Sequence, residues 1–183
     1  MGIDQVIMRA VFLDRDGVIN RAPIRDGKPY PPNTLDELEV LDGVPDALAK
    51  LREAGFRLIV VTNQPDVARG AQRRETVEAM HERLAGTLPV DEIVTCYHDG
   101  DACDCRKPKP GALLDAARRH DIELERSFMV GDRWRDIEAG QRAGCRCLFV
   151  DRGYREQQPP APFVRVDSLA AAAEWILTHQ QNE

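Results

Sequence analysis

Four short polar segments occur in a fixed order along the chain and carry side chains that could do chemistry. They are Asp14-Arg15-Asp16-Gly17, Thr62-Asn63, Arg106-Lys107-Pro108, and Gly131-Asp132 with Asp136 close behind. Three of the four follow short apolar runs that are typical of β-strands. Together the segments supply carboxylates, a hydroxyl group and a cation. These groups could transfer a phosphoryl group beside a divalent metal ion.

Two carboxylates, on Asp14 and Asp16, stand two positions apart. In an extended backbone both side chains would point to the same side. One carboxylate could attack phosphorus while the other handles the proton of the leaving oxygen. Because a phosphate repels a carboxylate, we expect a magnesium ion between them, with Asp132 completing its site and Asp136 as a further candidate ligand.

A hydroxyl group and a lysine could stabilise the charge that spreads over the phosphate oxygens. Thr62 and Lys107 are the candidates for this role. Taken singly, each segment has a plainer explanation, because Asp-x-Asp-Gly is a common turn and an isolated lysine is usually solvated. Their joint order after successive predicted strands favours the catalytic interpretation.

The elements that would position these groups alternate along the chain. Apolar runs predict strands over residues 10–13, 56–62, 92–96, 127–130, 146–150 and 163–166. Helical spacing predicts helices over 42–55, 73–84, 110–120, 137–143 and 168–178, while 21–39 has the composition of a long irregular loop. This order predicts an α/β fold: a doubly wound, Rossmann-like parallel sheet with helices on both faces. Ligands of such sheets bind beyond the carboxyl ends of the strands, where the candidate residues are expected.

Size and charge narrow the class of protein. We expect the 183 residues to form a single domain, 1–183, without a large cap domain. A net charge of −6 and the lack of a long basic run argue against a nucleic-acid partner. No apolar run approaches the length of a membrane span, and the first residues do not resemble a secretory signal. We therefore expect a cytoplasmic protein without a membrane partner, and we take it to be a monomer.

Four side chains that are good zinc ligands lie close together in the sequence. They are Cys96, His98, Cys103 and Cys105. Zinc prefers four sulfur and nitrogen ligands in tetrahedral geometry, and such a site could staple a loop that is too poor in apolar residues to fold alone. We therefore predict one structural zinc ion in a zinc-stapled loop. Cys145 and Cys147 lie in a predicted strand, and we expect both to be buried, with their side chains on opposite sides.

The four polar segments resemble the four motifs of the haloacid dehalogenase superfamily of phosphatases, and the resemblance spans roughly residues 10 to 151. It implies that Asp14 is the nucleophile and forms an aspartyl-phosphate, while Asp16 is the general acid and then the base. It also implies that magnesium is held by Asp14, by the backbone carbonyl of Asp16 and by Asp132.

The cysteine-rich loop narrows the resemblance to two branches of the superfamily, one that acts on a heptose bisphosphate and one that acts on histidinol phosphate. Ala68-Arg69-Gly70 and Lys109-Pro110-Gly111 resemble the first branch. In that branch the arginine before the catalytic lysine, here Arg106, recognises the sugar phosphate substrate. Asn63, Arg69 and Arg133 are the other predicted substrate-binding residues, with Arg69 meeting a second anionic group.

Two features leave the substrate open. Pro65-Asp66 replaces the small pair that is usual in the heptose branch, and the segment from Arg21 to Asn33 is longer and richer in proline. Histidinol phosphate is an alternative substrate, since an acidic pocket would suit its amine and imidazole. A phosphorylatable receiver-like switch shares the fold and an acidic metal site. Such a switch needs neither a zinc staple nor a second aspartate for proton transfer.

Overall fold

The computed structural model describes residues 8–180. Its strands are β1 (Arg9–Leu13), β2 (Ile24–Arg25), β3 (Lys28–Pro29), β4 (Phe56–Asn63), β5 (Glu92–Cys96), β6 (Phe128–Gly131), β7 (Arg146–Val150) and β8 (Val164–Val166). The helices are α1 (Val44–Glu53), α2 (Arg74–Thr87), α3 (Gly111–His120), α4 (Trp134–Ala143) and α5 (Leu169–His179). Six strands form one parallel sheet in the order β5-β4-β1-β6-β7-β8, and β2 pairs with β3 in a separate hairpin.

Both faces of the six-stranded sheet are buried. Along β1, Val11 and Leu13 pack into a layer that contains the apolar sides of α1 and α5. Ala10 and Phe12 pack into the opposite layer, which contains the apolar sides of α3 and α4. This alternation follows from the two-residue period of a strand and explains why the central strands β1, β4, β6 and β7 are mostly apolar. The predicted doubly wound α/β fold is confirmed.

The strand order reverses beside β1, which places two of the polar segments together. The chain runs from β1 outward through β4 and β5, then returns to β6 on the other side of β1. Leu13 and Val130 are aligned in register, and the Asp14 amide donates to the Val130 carbonyl at 3.0 Å. Asp14 and Asp132 therefore leave neighbouring strands at the same edge of the sheet, at the switch point where such folds bind ligands.

Two predicted boundaries differ from the structure for identifiable reasons. Helix α4 begins at Trp134 rather than at 137, because the Asp136 carboxylate caps the helix by accepting from the Arg133 amide at 3.0 Å. Apolar spacing does not report such a polar cap. The predicted loop at 21–39 contains the hairpin β2–β3, whose turn uses positive φ angles at Asp26 and Gly27.

Cys145 and Cys147 are buried as predicted, but they are not on opposite sides of the strand. Both pack into the core layer beside α3 and α4. The prediction was wrong because side chains two positions apart in a strand point to the same face. Among the described residues, no helix is both long enough and apolar enough to cross a membrane.

Candidate active site

Three buried carboxylates meet at the carboxyl edge of the sheet. Asp14 follows β1, Asp132 follows β6, and Asp136 lies in the first turn of α4. One carboxylate oxygen from each lies within 4.8 Å of the others. Three negative charges in so small a buried volume repel one another, so the cluster needs compensating positive charge.

The Asp132 carboxylate is held by one oxygen and unpartnered at the other. The hydroxyl of Tyr154 donates to Oδ2 at 2.5 Å, while Oδ1 is buried without a hydrogen-bond partner among the described residues. Burial, followed by the charges of Asp14 and Asp136, raises the pKa of Asp132 well above its usual range. An unsatisfied buried oxygen beside two further carboxylates fits a hard divalent cation, which prefers oxygen ligands.

Two glycines make room for this cluster. Gly17 has a φ of 88°, and a Cβ there would overlap the Asp132 carboxylate. A Cβ on Gly131 would overlap the side chain of Asp136. The glycines in the first and fourth segments therefore allow the backbone to approach the acidic groups closely.

Lys107 supplies positive charge from within the protein. Its Nζ lies 2.8 Å from Oδ1 of Asp14, 2.7 Å from Oδ1 of Asp136 and 2.7 Å from the carbonyl oxygen of Val61. Burial opposes the charged amine, but the two carboxylates outweigh it and raise the pKa of Lys107. Burial, followed by the charge of Asp136, raises the pKa of Asp14 to about 6, and Lys107 opposes that rise.

Two residues at the end of β4 contribute to the site: Asn63 positions Lys107, and Thr62 supplies a hydroxyl group. The Asn63 side chain accepts from the Lys107 amide at 3.1 Å and donates to its carbonyl at 3.0 Å. Asn63 therefore positions the lysine through its backbone, while also lining the cavity. Thr62 is buried, and its Oγ1 accepts from Nε2 of Gln64 at 2.9 Å.

Asp16 lies in a different hydrogen-bond network from the three clustered acids. Its carboxylate accepts from Gln64 Nε2 at 2.9 Å, from Asn20 Nδ2 at 2.9 Å and from the guanidinium of Arg15 at 2.9 Å. Arg15 is fully buried and also donates to Nε2 of His81 at 3.0 Å. A carboxylate held on three sides has a defined orientation, as a proton-transfer group requires.

Sequence reasoning did not single out Arg15, Asn20, Gln64 or Tyr154. Arg15 and Gln64 adjoin residues that it did select, and their immediate neighbourhood is the only signal that could have identified them. Tyr154 comes from the loop after β7 and belongs to none of the four segments. Its contact with Asp132 depends on the tertiary fold.

These groups lie at a cavity of about 210 Å³ that opens from the edge of the sheet. Its lining includes Asp14, Asp16, Thr62 and Lys107 together with Tyr30, Arg69, Arg106, Arg133 and Arg135. The structure therefore brings all the predicted catalytic and substrate-binding residues to one cavity.

Three of the cavity arginines are ion-paired. Arg69 and Arg106 both donate to Asp99, at 2.8 Å and 2.9 Å. Hydrogen bonds from Arg69 hold the pKa of Asp99 well below its usual range. Arg133 donates to Glu156 at 2.6 Å. The positive charge of these arginines is thus largely compensated within the protein.

The four predicted zinc ligands form a second cluster beside the cavity. Cys105 Sγ lies 3.0 Å from Cys96 Sγ, 3.5 Å from Cys103 Sγ and 3.3 Å from Nδ1 of His98. Ligands that surround zinc tetrahedrally at ~2.3 Å are separated by roughly 3.8 Å. The cluster therefore has the composition and approximate spacing of a closed zinc site, and the cysteines form no disulfides.

The fold and site define a class of α/β proteins with a buried acidic cation site and a lysine at the carboxyl edge of a parallel sheet. The sequence pattern of the haloacid dehalogenase-like hydrolases matches residues 30–144. The chain belongs to this family, and the resemblance seen in its four polar segments is confirmed.

Similar proteins share most of the chain's length. The D-glycero-beta-D-manno-heptose-1,7-bisphosphate 7-phosphatase of Pseudomonas putida is 39% identical over 180 residues, which cover 93% of this chain and 100% of that protein. The Escherichia coli K12 protein of the same name is 35% identical over 181 residues, covering 92% and 87%. A crystal structure of D,D-heptose 1,7-bisphosphate phosphatase from B. bronchiseptica, complexed with magnesium and phosphate, has a TM-score of 0.80 and 35% identity, covering 93% and 99%.

Proposed function

We propose that the protein is a magnesium-dependent phosphatase that removes the 7-phosphate of D-glycero-D-manno-heptose 1,7-bisphosphate in nucleotide-activated heptose biosynthesis. The observation that carries this proposal is the contact between Asp14 and Lys107 at 2.8 Å beside Asp132 and Asp136. It supplies a nucleophile, a cation and a metal site in one cavity. The similarity to heptose bisphosphate phosphatases over nearly the whole chain supports the substrate.

In the first step, Asp14 attacks the phosphorus atom of the 7-phosphate. Oδ1 of Asp14 accepts a hydrogen bond from Lys107. Oδ2 makes no hydrogen bond among the described residues, and we assign it as the oxygen that attacks phosphorus. The new O–P bond forms as the bond between phosphorus and the sugar oxygen breaks. Asp16 gives its proton to that sugar oxygen, so that an alcohol leaves and an aspartyl-phosphate remains.

In the second step, Asp16 acts as the base. It takes a proton from water while the water oxygen attacks phosphorus, which releases inorganic phosphate and regenerates the Asp14 carboxylate. Lys107 and Thr62 stabilise the negative charge on the phosphate oxygens in both steps. When held by Asp14, Asp132 and Asp136, with the Asp16 carbonyl as the family implies, magnesium supplies positive charge that offsets repulsion between carboxylate and phosphate.

A structural zinc ion in the cysteine-histidine cluster supports the same cavity. The carbonyl oxygen of His98 accepts from Nη1 of Arg106 at 2.9 Å, which links a predicted zinc ligand directly to a predicted substrate-binding arginine. Four protein ligands close such a site and leave no position for substrate. We therefore assign zinc a structural role.

The cavity walls do not favour histidinol phosphate. The alternative requires free acidic groups for a cationic substrate. Asp66 accepts a hydrogen bond from Arg69 at 3.1 Å, so its charge is already compensated. The names of the P. putida and E. coli relatives specify the β anomer of the heptose. We propose the same anomer for this protein.

The test is a substrate panel assayed with magnesium under multiple-turnover conditions. It contains the α and β anomers of the heptose 1,7-bisphosphate, heptose 7-phosphate, fructose 1,6-bisphosphate and histidinol phosphate. We expect the highest kcat/KM for the β-heptose bisphosphate. A higher kcat/KM for histidinol phosphate would assign the protein to the other branch, and a single turnover without further hydrolysis would indicate a receiver-like switch.

A further inference from the structure

Arg135 differs from the other arginines of the cavity because it has no carboxylate partner among the described residues. Arg69, Arg106 and Arg133 each form an ion pair. Within residues 8–180, the Arg135 guanidinium forms neither a hydrogen bond nor an ion pair, and its buried Nε lacks an acceptor. The side chain is half-buried and lines the cavity, so its free N–H groups face the space that a ligand would enter. A buried donor is normally satisfied, and Arg135 is therefore placed to bind an anion that enters the cavity.

The position of Arg135 in helix α4 is unfavourable unless an anion is bound. Arg135 lies in the first turn of the helix, directly after Arg133 and Trp134. The amino end of a helix carries partial positive charge, which disfavours a cation there. Arg106 and Arg133 line the same cavity and add further positive charge near Arg135. An incoming anion would relieve both sources of repulsion.

The guanidinium is already held in place by an aromatic ring. Its central carbon lies 4.8 Å from the centroid of the Trp134 ring, which allows a cation–π contact. A flat ring supports a planar guanidinium and limits its side-chain freedom before a ligand arrives. Arg135 can therefore bind an anion with a smaller loss of conformational entropy than a freely moving arginine.

We propose that Arg135 binds the phosphate group of the substrate that is not hydrolysed. This inference rests on the proposed function, in which that group is the 1-phosphate of the heptose. The 7-phosphate binds next to Asp14 and the other catalytic groups, so the 1-phosphate must contact another part of the cavity lining. The planar guanidinium of Arg135 can donate two parallel hydrogen bonds to a phosphate dianion, and no carboxylate within residues 8–180 is ion-paired with it.

The experiment compares two substrates that differ only in the distal phosphate, β-heptose 1,7-bisphosphate and heptose 7-phosphate. Arg135→Gln should raise KM for the bisphosphate about tenfold or more. Its kcat should change less than about threefold, because a distal contact binds the ground state and the transition state alike. The kinetics of heptose 7-phosphate should stay within about twofold of wild type.

Two further variants complete the design. Arg135→Lys keeps the positive charge but lacks the planar guanidinium with its paired N–H donors. Its KM for the bisphosphate should lie between those of wild type and Arg135→Gln. Arg142→Gln is the matched control, since Arg142 lies on the same helix and pairs with Glu138 outside the cavity lining. It should not change KM for either substrate. Thermal unfolding checks that each variant is folded.

If Arg135→Gln raises KM equally for both substrates, or raises it for neither, the assignment of Arg135 is overturned. If Arg135→Gln does not fold, Arg135→Lys provides the test instead. A rise in KM for the bisphosphate alone would show that the planar guanidinium contacts the 1-phosphate, and an unchanged KM would overturn the proposal. Failure of the proposed function would appear in the wild-type protein, as poor turnover of the heptose bisphosphate. Failure of this inference would appear only in the comparison of variants.

Discussion

The hydroxyl of Tyr154 donates a hydrogen bond of 2.5 Å to Oδ2 of Asp132. The other oxygen of the same carboxylate, Oδ1, is buried and has no hydrogen-bond partner among the described residues. Tyr154 thus holds one oxygen of a predicted magnesium ligand in place and leaves the other available. Residues that orient metal ligands in this way typically influence metal affinity about 10- to 100-fold.

Replacing Tyr154 by phenylalanine should weaken magnesium binding roughly tenfold, because Asp132 loses the donor that stabilises and orients its buried charge. Titration calorimetry without substrate measures this affinity directly. Tyr30→Phe is a suitable control, since Tyr30 lines the same cavity but the hydroxyl bonded to Asp132 is that of Tyr154. Equal magnesium affinity in wild type and Tyr154→Phe would remove the role assigned to the hydroxyl.

Asp14→Asn should lower kcat by at least about a thousandfold, because an amide cannot form the aspartyl-phosphate. The fold should remain, since asparagine has nearly the same shape and removes a charge that burial opposes. The measurements are phosphate release and circular dichroism. Asp115→Asn, on the exposed part of α3, should behave like wild type. A folded Asp14→Asn variant with substantial turnover would mean that another group is the nucleophile.

Purified protein should contain one zinc ion per chain, and Cys103→Ser should remove it. Loss of the ion leaves the loop from Cys96 to Arg106 without its staple, so we expect a loss of about 3 kcal/mol, or roughly 10 °C in Tm. KM for the bisphosphate should also rise, because Arg106 is held by the carbonyl of His98. Elemental analysis and thermal unfolding test these points. Cys145→Ala, outside the cluster, should keep zinc; a zinc-free wild type would contradict the prediction.

His81 should make the protein sensitive to acid. Its Nε2 must accept from Arg15, since a guanidinium can only donate. Burial, followed by the charge of Arg15, lowers the pKa of His81 to about 4, while Asp16 and Glu78 oppose the shift. In the unfolded chain the imidazole would bind a proton near pH 6.5. Below that pH the unfolded state therefore binds more protons, and stability is lost as the pH falls toward 4.

The size of this effect can be measured as a double difference. Between pH 7.5 and pH 5, His81 should contribute about 2 kcal/mol to the loss of unfolding free energy. His81→Gln keeps an acceptor for Arg15 but cannot titrate. Between the two pH values its unfolding free energy should therefore fall by about 2 kcal/mol less than that of wild type. Urea unfolding at the two pH values gives both quantities. Identical losses in the two proteins would show that His81 does not titrate as described.

Local patterns predicted the parts of this protein that depend on local chemistry. Apolar runs located the six strands of the sheet. They are most evident in the four central strands, because a strand that is buried on both faces consists mainly of apolar residues. The segments directly after β1 and β6 then indicated that Asp14 and Asp132 would share an edge of the sheet, and the two carboxylates do lie together there. The zinc ligands were identifiable because they lie within ten residues, Cys96 to Cys105.

The sequence by itself determined the doubly wound fold and the order of the polar segments along it, because periodicity and strand-end position act over a few residues. Only the tertiary structure decided which groups meet. Tyr154 donates to Asp132 from the loop after β7, Arg15 contacts His81 from α2, and Asp99 pairs with Arg69, whereas Arg135 has no carboxylate partner in the part of the chain that the structure describes. These contacts join segments that are distant in the chain. Their geometry depends on how whole elements pack, which no short stretch of residues specifies.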